Sequence, residues 1–550
     1  TILMQKQVQL QVTPSEAADP AVIKQYVANA GGHAIAAVTG FHILKKSIDA
    51  RSSKQVWINL TVQAFIDEPY TPRTLAPISF KDVSHAATKV IIIGAGPAGL
   101  FAALKCLELG IKPHIIERGK DVKARRRDLA KLNKEGIVNP ESNYCFGEGG
   151  AGTYSDGKLY TRSTKRGNVD KVLQLLVYFG ADPAILYTAH PHIGTNKLPG
   201  IIQNIRQQII EAGGEVHFNE RVTDFTIENQ RVKSVRCASG ISFDGNNLIL
   251  ATGHSAKDIY LLLHNKNILI EAKPFALGVR IEHPQSLIDA IQYHCPSAIG
   301  RDEFLPPAAY QLVEQVNGRG VFSFCMCPGG IIATASTVQN ELVVNGWSPS
   351  KRNNPFANSG MVVQIGLDDV MKGMKNNGEG MSLPAEGFGK SVKTNPLLLH
   401  HFQENVERRA YTAGGGKFVA PAQRMTDFVQ GKTSSTLPEN SYLRGVVPVN
   451  MKDVLPDFVF SALQNAFKAF GRKMKGYYTE EATIIAPESR TSSPVRIPRN
   501  PETLQHPQIK NLYPCAEGAG YAGGIVSAAM DGQRVANHLS IFSAADNFSM

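Results

Sequence analysis

Hydrophobic and polar positions follow two different patterns along the chain. Apolar residues run without a break at 90–93 and largely so at 247–252, which is typical of strands buried on both faces of a parallel sheet. Apolar and polar residues alternate at 7–12, and again in the pair 221–227 and 231–237, which predicts strands with one solvated face. The chain is therefore expected to combine a buried parallel sheet with antiparallel strands in an α/β fold.

The same patterns divide the 550 residues into four predicted units. In chain order these are a small N-terminal α+β domain, the first part of a dinucleotide-binding domain, an inserted and mainly antiparallel α+β domain, and the second part of the dinucleotide-binding domain. Their predicted bounds are 1–85, 86–268, 269–485 and 486–550. In the first unit, the residue pattern predicts one helix at 14–30.

A glycine motif directly follows the buried run at 90–93. Gly94, Gly96 and Gly99 have the G-x-G-x-x-G spacing, which permits a tight turn, a close approach of pyrophosphate to the backbone, and close helix packing. Glu117 ends the next buried strand, eighteen residues after Gly99, where a carboxylate can accept hydrogen bonds from both hydroxyls of an adenosine ribose. The segment therefore predicts a dinucleotide site with the pyrophosphate at a helix N-terminus, without distinguishing NAD from FAD.

A second glycine-rich stretch, NYCFGEGGAGTYSDGKLY, occupies residues 143–160. Its Gly150 and Gly152 are predicted to let the backbone lie against a planar ring or a phosphate. The alternative is a surface loop that contacts no ligand.

Composition and charge limit the function less than the motifs do. A net charge of +11 and a pI of about 9.1 favour anionic partners, but do not choose among phosphates, acidic substrates, RNA and a membrane surface. The basic run KARRR at 123–127 is interpreted as a solvated helix face. Seven scattered cysteines argue against a disulfide framework, and no apolar run has the length of a membrane span. With a polar N-terminal segment, we expect a cytoplasmic protein.

No metal site is predicted. Cys325 and Cys327 are two positions apart and would share one face of a strand, but no further ligands accompany them at a suitable spacing. Both are expected to pack in the protein interior.

Three motifs in the right order resemble a known superfamily. They are the turn at 94–99, the ATG at 251–253 that closes a predicted β-meander, and the EG at 517–518 with the AGG at 522–524. Together they are similar to FAD-dependent oxidoreductases of the glutathione-reductase-like superfamily. The stretches GEGGAGTYSDGKL, HPHIGTNKL, CMCPGG and ESRTSSPVRI are similar, over nearly the whole chain, to a group of bacterial FAD-dependent dehydrogenases. The resemblance implies an FAD cofactor, a Rossmann-like parallel sheet with a β-meander, and an inserted substrate or cap domain.

The resemblance also implies which residues meet FAD. Val222 matches the position whose backbone meets adenine, 252–253 pass beside the cofactor, and Glu517 matches the acid that contacts the ribityl chain. Ala516 stands where the superfamily has glycine, and residues 523–525 would begin a helix whose dipole stabilises negative charge on the flavin. The predicted cofactor-binding set is Gly94, Gly96, Pro97, Ala98, Gly99, Glu117, Arg118, Gly150, Gly152, Val222, Thr252, Gly253, Glu517, Gly518, Gly523, Gly524 and Ile525.

No catalytic residue is assigned from the sequence. Lys158, His190, His192 and His254 are candidate acid/base residues by residue type alone. Because no second G-x-G-x-x-G lies between a buried strand and a helix, a separate NAD(P)H-binding domain is not expected. Reducing equivalents would come from the substrate, from NAD(P)H that enters the substrate cleft, or from a protein donor.

Three functions are compatible with these observations. The first is an FAD-dependent oxidoreductase of the dehydrogenase type, which transfers hydride between a small molecule and flavin N5. The second is an FAD-dependent RNA-modifying enzyme, because the chain is basic and some members of the superfamily that it resembles act on tRNA. The third is a flavin-binding protein without catalytic activity. Nucleic acid is not the expected partner, but it is not excluded.

Overall fold

A computed structural model describes residues 4–161, 167–296, 298–375 and 395–546. The outermost residues of the first and last predicted units lie outside these ranges, as does part of the inserted unit. The predicted α/β fold is confirmed, because a parallel sheet lies beside antiparallel sheets in the described residues. The division into four units stays a prediction.

The first unit is a three-stranded antiparallel sheet with two helices. Its elements are β1 (Met4–Val12), α1 (Pro14–Ala18), α2 (Pro20–Gly31), β2 (Val38–Asp49) and β3 (Trp57–Ile66), with strand order β1-β3-β2. The single helix predicted at 14–30 is wrong, because the chain leaves the helical region at Asp19 (φ −103°, ψ 108°). The ring of Pro20 disfavours a helical residue before it, and the Asp19 side chain accepts the N–H of Ala21 (2.8 Å) to begin α2.

The second unit contains most of the parallel sheet and the meander. Its elements are β4 (Lys89–Ile93), α3 (Pro97–Leu109), β5 (Lys112–Ile116), α4 (Val122–Glu135), α5 (Val169–Tyr178), α6 (Leu198–Glu211), β6 (Glu215–His217), β7 (Val222–Glu228), β8 (Arg231–Cys237), β9 (Ser242–Asp244), β10 (Asn247–Leu250) and α7 (Lys257–Asn265). Strands β7, β8 and β9 pair in this order as an antiparallel meander, as predicted.

The inserted unit is built on a seven-stranded sheet. Its elements are β11 (Glu271–Ala272), β12 (Phe275–Pro284), α8 (Gln285–Tyr293), β13 (Val313–Val316), β14 (Arg319–Cys327), β15 (Ile331–Thr334), β16 (Val344–Trp347), β17 (Phe356–Ile365), α9 (Leu367–Lys375), α10 (Leu398–Ala413), β18 (Ala420–Arg424), α11 (Met425–Gln430), β19 (Val446–Pro448), α12 (Asp457–Lys473) and β20 (Thr483–Glu488). The strand order is β13-β14-β17-β12-β20-β18-β19, and only β18 and β19 pair in parallel. The predicted boundary at 485/486 falls inside β20.

The last elements are β21 (Val495–Arg496), β22 (Leu512–Pro514) and α13 (Ile525–Asp546). They complete the five-stranded parallel sheet, whose order is β22-β10-β4-β5-β6. Helix α13 packs so closely on α3 that a Cβ added at Gly532 would overlap the carbonyl oxygen of Ala98. The carboxyl ends of β4, β5 and β10 meet at one edge, where open α/β sheets bind their ligands.

In the described part of the chain, no helix combines the length and the apolar character that a membrane crossing requires.

Candidate active site

The turn after β4 has the geometry that its glycines require. Gly94 has a φ of +105°, and a Cβ there would lie 2.7 Å from the carbonyl oxygen of Ala251. A Cβ at Gly99 would overlap the carbonyl oxygen of Gly94, so neither position tolerates a side chain. Gly96 begins α3, and no side chain caps its first turn. The free N–H groups and the helix dipole therefore leave this end of α3 suited to an anion.

The Glu117 carboxylate organises the backbone around this turn. Its Oε2 accepts the N–H of Ala95 (2.9 Å), and its Oε1 accepts the N–H groups of Gly119 (2.8 Å) and Gly147 (3.0 Å). Three of about four acceptor positions are thus used within the protein, which leaves room for about one further donor. Glu117 therefore joins three segments of the chain. The sequence predicted only a contact of Glu117 with ribose and not this structural role.

The second glycine-rich stretch lies directly on the first motif. A Cβ at Gly150 would be 3.2 Å from the Cα of Gly96, and a Cβ at Gly152 would be 3.0 Å from Ile525 and 3.6 Å from Pro97. The structure therefore brings together residues that the sequence analysis singled out in three separate motifs. Their backbones form the floor of one cradle, which is defined here as residues 94–99, 147–152 and 523–525.

A buried arginine holds the glycine-rich stretch in place. Arg125 is fully buried, and its guanidinium donates to the carbonyl oxygens of Asn143 (2.8 Å), Tyr144 (2.9 Å) and Glu148 (2.8 Å). The interpretation of the run at 123–127 as a solvated face is therefore wrong at Arg125. Arg125 lies on the inward face of α4, three residues after the buried Val122 and four before the buried Leu129. In the sequence, the charged residues around it hide this helical spacing.

Arg118 is engaged by protein groups. Its guanidinium pairs with Glu141 (2.9 Å) and Asp258 (2.9 Å) and lies over the ring of Phe146, 4.1 Å from the ring centroid. These contacts tie the start of α7 to the segment before the glycine-rich stretch. A direct contact of Arg118 with the cofactor stays a prediction.

Val222 begins the meander beside the Glu117 segment. Its side chain is buried in the core between the meander and the parallel sheet. Two residues earlier, the N–H of Glu220 donates to the carbonyl oxygen of Glu117 (3.0 Å). This places the Val222 backbone near Glu117, the acid predicted to bind ribose; the contact of Val222 with adenine stays a prediction.

The segment after β10 contacts the tail that leads into α13. The N–H of Gly518 donates to the carbonyl oxygen of Thr252 (3.1 Å), and a Cβ at Gly518 would overlap that oxygen. A Cβ at Gly253, Gly523 or Gly524 would meet no atom within 4 Å. The Thr252 hydroxyl is buried without a hydrogen-bond partner in the described structure. An unpaired buried hydroxyl beside open glycine backbone fits a bound cofactor that supplies the missing contact.

Ala516 adopts the left-handed conformation of the glycine that it replaces, with a φ of +58°. Its N–H donates to Asp531 (2.8 Å), and its carbonyl oxygen accepts the N–H of Tyr521 (2.9 Å). Asp531 is itself held by Arg499 (2.7 Å). These bonds hold an alanine in a conformation that glycine adopts without strain, so Glu517 keeps its place at the cradle.

His254 and Glu517 meet at the cradle. The Nδ1 of His254 lies 3.3 Å from Oε2 of Glu517, and the two side chains are 14% and 26% exposed. The sequence analysis gave these residues separate roles, as a candidate acid/base and as a contact of the ribityl chain. A histidine oriented by a carboxylate leaves its second nitrogen, Nε2, to accept or donate a proton.

The other acid/base candidates lie elsewhere. His190 is exposed and its ring lies 5.0 Å from that of Tyr160. The Nε2 of His192 donates to the carbonyl oxygen of Ser350 (3.1 Å), and burial, aided by Arg352, lowers the pKa of His192 so that it is neutral at pH 7.

Lys158 faces the inserted unit at a strained strand. Its ammonium donates to the carbonyl oxygen of Met326 in β14. The β14–β17 register shifts between Phe324 and Cys327, and Cys325 has a φ of +45°. This bulge exposes Cys325 and buries Cys327, so the prediction that both share one face and pack in the interior is wrong for Cys325. Although the residue reaches the surface, the protein atoms packed around its sulfur desolvate the thiol, which raises the pKa of Cys325 to about 11.

A buried ion pair lies behind this bulge. Arg280 pairs with Glu488 (2.8 Å), and its guanidinium also donates to the carbonyl oxygen of Cys325 (2.5 Å). Burial raises the pKa of Glu488. Arg280 and His254 lower this pKa and so offset part of the effect of burial. No sequence motif indicated Arg280. Glu488 lies in the stretch ESRTSSPVRI, which indicated only a resemblance to a group of bacterial FAD-dependent dehydrogenases.

A second buried ionic cluster fixes the residue after His254. Arg490 pairs with Glu407 (2.9 Å) and donates to the hydroxyl of Ser255 (3.3 Å). Nearby, Lys257 pairs with Glu341 (2.6 Å). Through these contacts the inserted unit holds the segment that carries His254.

Comparison with known proteins finds three families that match parts of the chain. Residues 88–265 match the pyridine nucleotide-disulphide oxidoreductase family, residues 274–491 match the FAD-dependent protein, C-terminal domain-like family, and residues 4–65 match a domain of unknown function. The cofactor is therefore FAD, and the protein is a flavoprotein of oxidoreductase type.

Relatives are similar to the whole chain or to part of it. A thiamine thiazole synthase of Aeropyrum pernix is 25% identical over 187 residues, which are 31% of this chain and 57% of that protein. The solved structure of the flavin-dependent brominase Bmp2 is 14% identical, covers 83% of this chain and 80% of its own, and has a TM-score of 0.35, too low for a comparison of sites. An uncharacterised protein of Clostridium beijerinckii is 38% identical over 524 residues, 91% of this chain and 92% of that protein. The chain belongs to the same family as this clostridial protein.

Proposed function

We propose that the protein is a dehydrogenase of the glutathione-reductase-like superfamily, which transfers hydride between a small molecule and N5 of FAD. The observation that carries this proposal is the cradle, where three separate glycine motifs converge beside the His254–Glu517 pair. Bound FAD supplies the hydride acceptor. The protein residues bind and orient it, exclude water and move the proton.

The pyrophosphate would lie at the start of α3, where Gly96 leaves the backbone open and no side chain caps the helix. Glu117 would take a ribose hydroxyl with its remaining acceptor position. The flavin would extend toward Gly253 and Gly523, whose missing side chains leave space for a ring. The N-terminal end of α13, at Ile525, would place its positive dipole end near the flavin.

His254 is the proposed acid/base residue. With Nδ1–H donated to Glu517, Nε2 carries the lone pair that removes a proton from a substrate hydroxyl or amine as hydride leaves the adjacent carbon. The substrate would lie between the flavin and the inserted sheet, near Lys158 and the bulge at Cys325. The proposal includes no separate domain that would bind NAD(P)H or a protein as electron donor.

The test is an anaerobic absorbance titration of the purified protein. The proposal predicts flavin bands that dithionite bleaches, that NADH and NADPH leave unchanged, and that a small-molecule cell extract bleaches. Rapid bleaching by a nicotinamide would instead indicate a reductase or monooxygenase. Bleaching by dithionite alone would indicate a flavin-binding protein without catalysis, and a colourless protein that takes up no FAD would contradict the cofactor assignment itself.

One observation favours the second candidate, an FAD-dependent RNA-modifying enzyme. Helix α4 exposes Lys123, Arg126, Arg127, Lys131 and Lys134, and none of them forms an ion pair within the described residues. Such a row of cations suits a phosphate backbone, and its binding would weaken steeply with salt. Nuclease-sensitive RNA that co-purifies with the protein would support this candidate. Absence of RNA binding at low salt would remove it.

A further inference from the structure

Two imidazoles and a carboxylate lie together at the edge of the parallel sheet. His114 is on β5, and Glu215 and His217 are on the edge strand β6. The parallel register pairs His114 with Glu215 and Ile116 with His217, so the three side chains share one face of the sheet. The same face is covered by the meander, whose Phe243 ring lies 4.6 Å from that of His217.

The distances suit a shared cation. Oε2 of Glu215 lies 3.5 Å from Nδ1 of His114 and 3.1 Å from Nε2 of His217, and the three ligand atoms all lie within 4.8 Å of one another. Ligands at about 2.0–2.1 Å from a tetrahedral zinc ion are about 3.3 Å apart, so a small closure would bring the three atoms to one ion. Two imidazoles and one carboxylate are ligands that zinc accepts.

One oxygen of the Glu215 carboxylate is engaged by a lysine. Lys112 lies 2.7 Å from Oε1 and leaves Oε2 facing the two histidines.

We propose that His114, Glu215 and His217 bind one zinc ion, with water as the fourth ligand. No metal was expected from the sequence, and this site is independent of the proposed oxidoreductase activity. The ion would join β5 and β6. The carbonyl oxygen of His217 accepts the N–H of Glu117 (2.8 Å), so the bound ion would also stiffen the strand end that carries the ribose-binding acid.

The experiment titrates the FAD-loaded, full-length protein with zinc sulfate by calorimetry after removal of metals with EDTA. We expect one binding site with a dissociation constant in the micromolar range or below. His114→Ala, Glu215→Gln and His217→Ala should each weaken binding at least about tenfold. Lys112→Met should strengthen it severalfold, because it removes a cation that competes for Glu215. His264→Ala, at an exposed histidine of α7, is the matched control and should bind as the wild type does.

FAD content and circular dichroism show whether each variant is folded, and His217→Gln keeps the test available if an alanine variant is not. The proposal is overturned if the wild type binds no zinc at one equivalent, or if folded variants at the three positions bind it unchanged. It is also overturned if bound Co²⁺ shows thiolate-to-metal absorption in the near ultraviolet, because one of the seven cysteines would then be the ligand.

Discussion

Replacement of Glu117 by glutamine tests how the cradle is held together. The two carboxylate oxygens accept N–H groups from Ala95, Gly119 and Gly147 at 2.8–3.0 Å. Glutamine offers one oxygen and one NH₂ group, so at least one of these N–H groups would face another donor. A hydrogen bond to a charged group contributes about 1.5–3 kcal/mol, and an unsatisfied buried group costs about 1–3 kcal/mol. We therefore expect E117Q to lose about 2–4 kcal/mol of unfolding free energy.

The assay combines urea unfolding of the FAD-free protein with fluorescence titration of FAD. We expect the variant to unfold at lower urea and to bind FAD at least about tenfold more weakly, which corresponds to about 1.4 kcal/mol. The matched control is E135Q at the exposed end of α4, which should change neither quantity. If E117Q binds FAD and unfolds as the wild type does, the carboxylate does not organise the turn, and the reasoning from its three hydrogen bonds is refuted.

Three further perturbations address the turn, the proton transfer and the pH dependence. Gly99→Ala should yield a folded but colourless protein, because a Cβ there would overlap the carbonyl oxygen of Gly94 and push the turn open; retained flavin absorbance would contradict this. His254→Ala should keep FAD bound but slow anaerobic flavin reduction by the substrate about 10²–10⁴-fold, and an unchanged rate would exclude the acid/base role. Burial, partly offset by hydrogen bonds from Ser441, raises the pKa of Glu282 to about 7. The folded state therefore binds this proton more tightly than the unfolded state does. The resulting contribution to stability is present at low pH and is lost as pH rises from about 4.5 through 7. Glu282→Gln should therefore be about 2–3 kcal/mol more stable than the wild type at pH 8 and similar to it at pH 5 in urea unfolding; equal stability at both pH values would show that Glu282 is not protonated by burial.

The parts of the fold that were predictable are those set by local sequence. An uninterrupted apolar run such as β4 is typical of a strand buried on both faces, and Gly94 and Gly99 occupy positions where the backbone leaves no space for a side chain. These features predicted the α/β fold and a dinucleotide site, whereas FAD followed from the resemblance of three motifs to a known superfamily. The break at Asp19 also has a local cause, because Pro20 disfavours a helical residue before it, and the helix predicted at 14–30 ran through this position.

The parts that were not predictable depend on residues far apart in the sequence. His254 and Glu517 are oriented by each other across 263 positions, and no spacing rule connects them. Arg125 is buried because carbonyl groups of the glycine-rich stretch surround it, although its neighbours in the sequence are exposed cations. The bulge at Cys325 is a property of pairing between β14 and β17, which a strand pattern does not contain.

The strand order of the parallel sheet has a consequence for synthesis of the protein. Strand β4 leaves the ribosome early, whereas β22 and the start of α13 follow roughly 420–430 residues later, which takes about 40 s at about ten residues per second. Until then β10 presents an unpaired edge, and the cradle lacks its backbone at 523–525. FAD therefore cannot act as an early template for this domain. A nascent chain should remain a substrate for chaperones until the tail docks, and premature termination anywhere before residue 525 should yield a product that does not retain flavin.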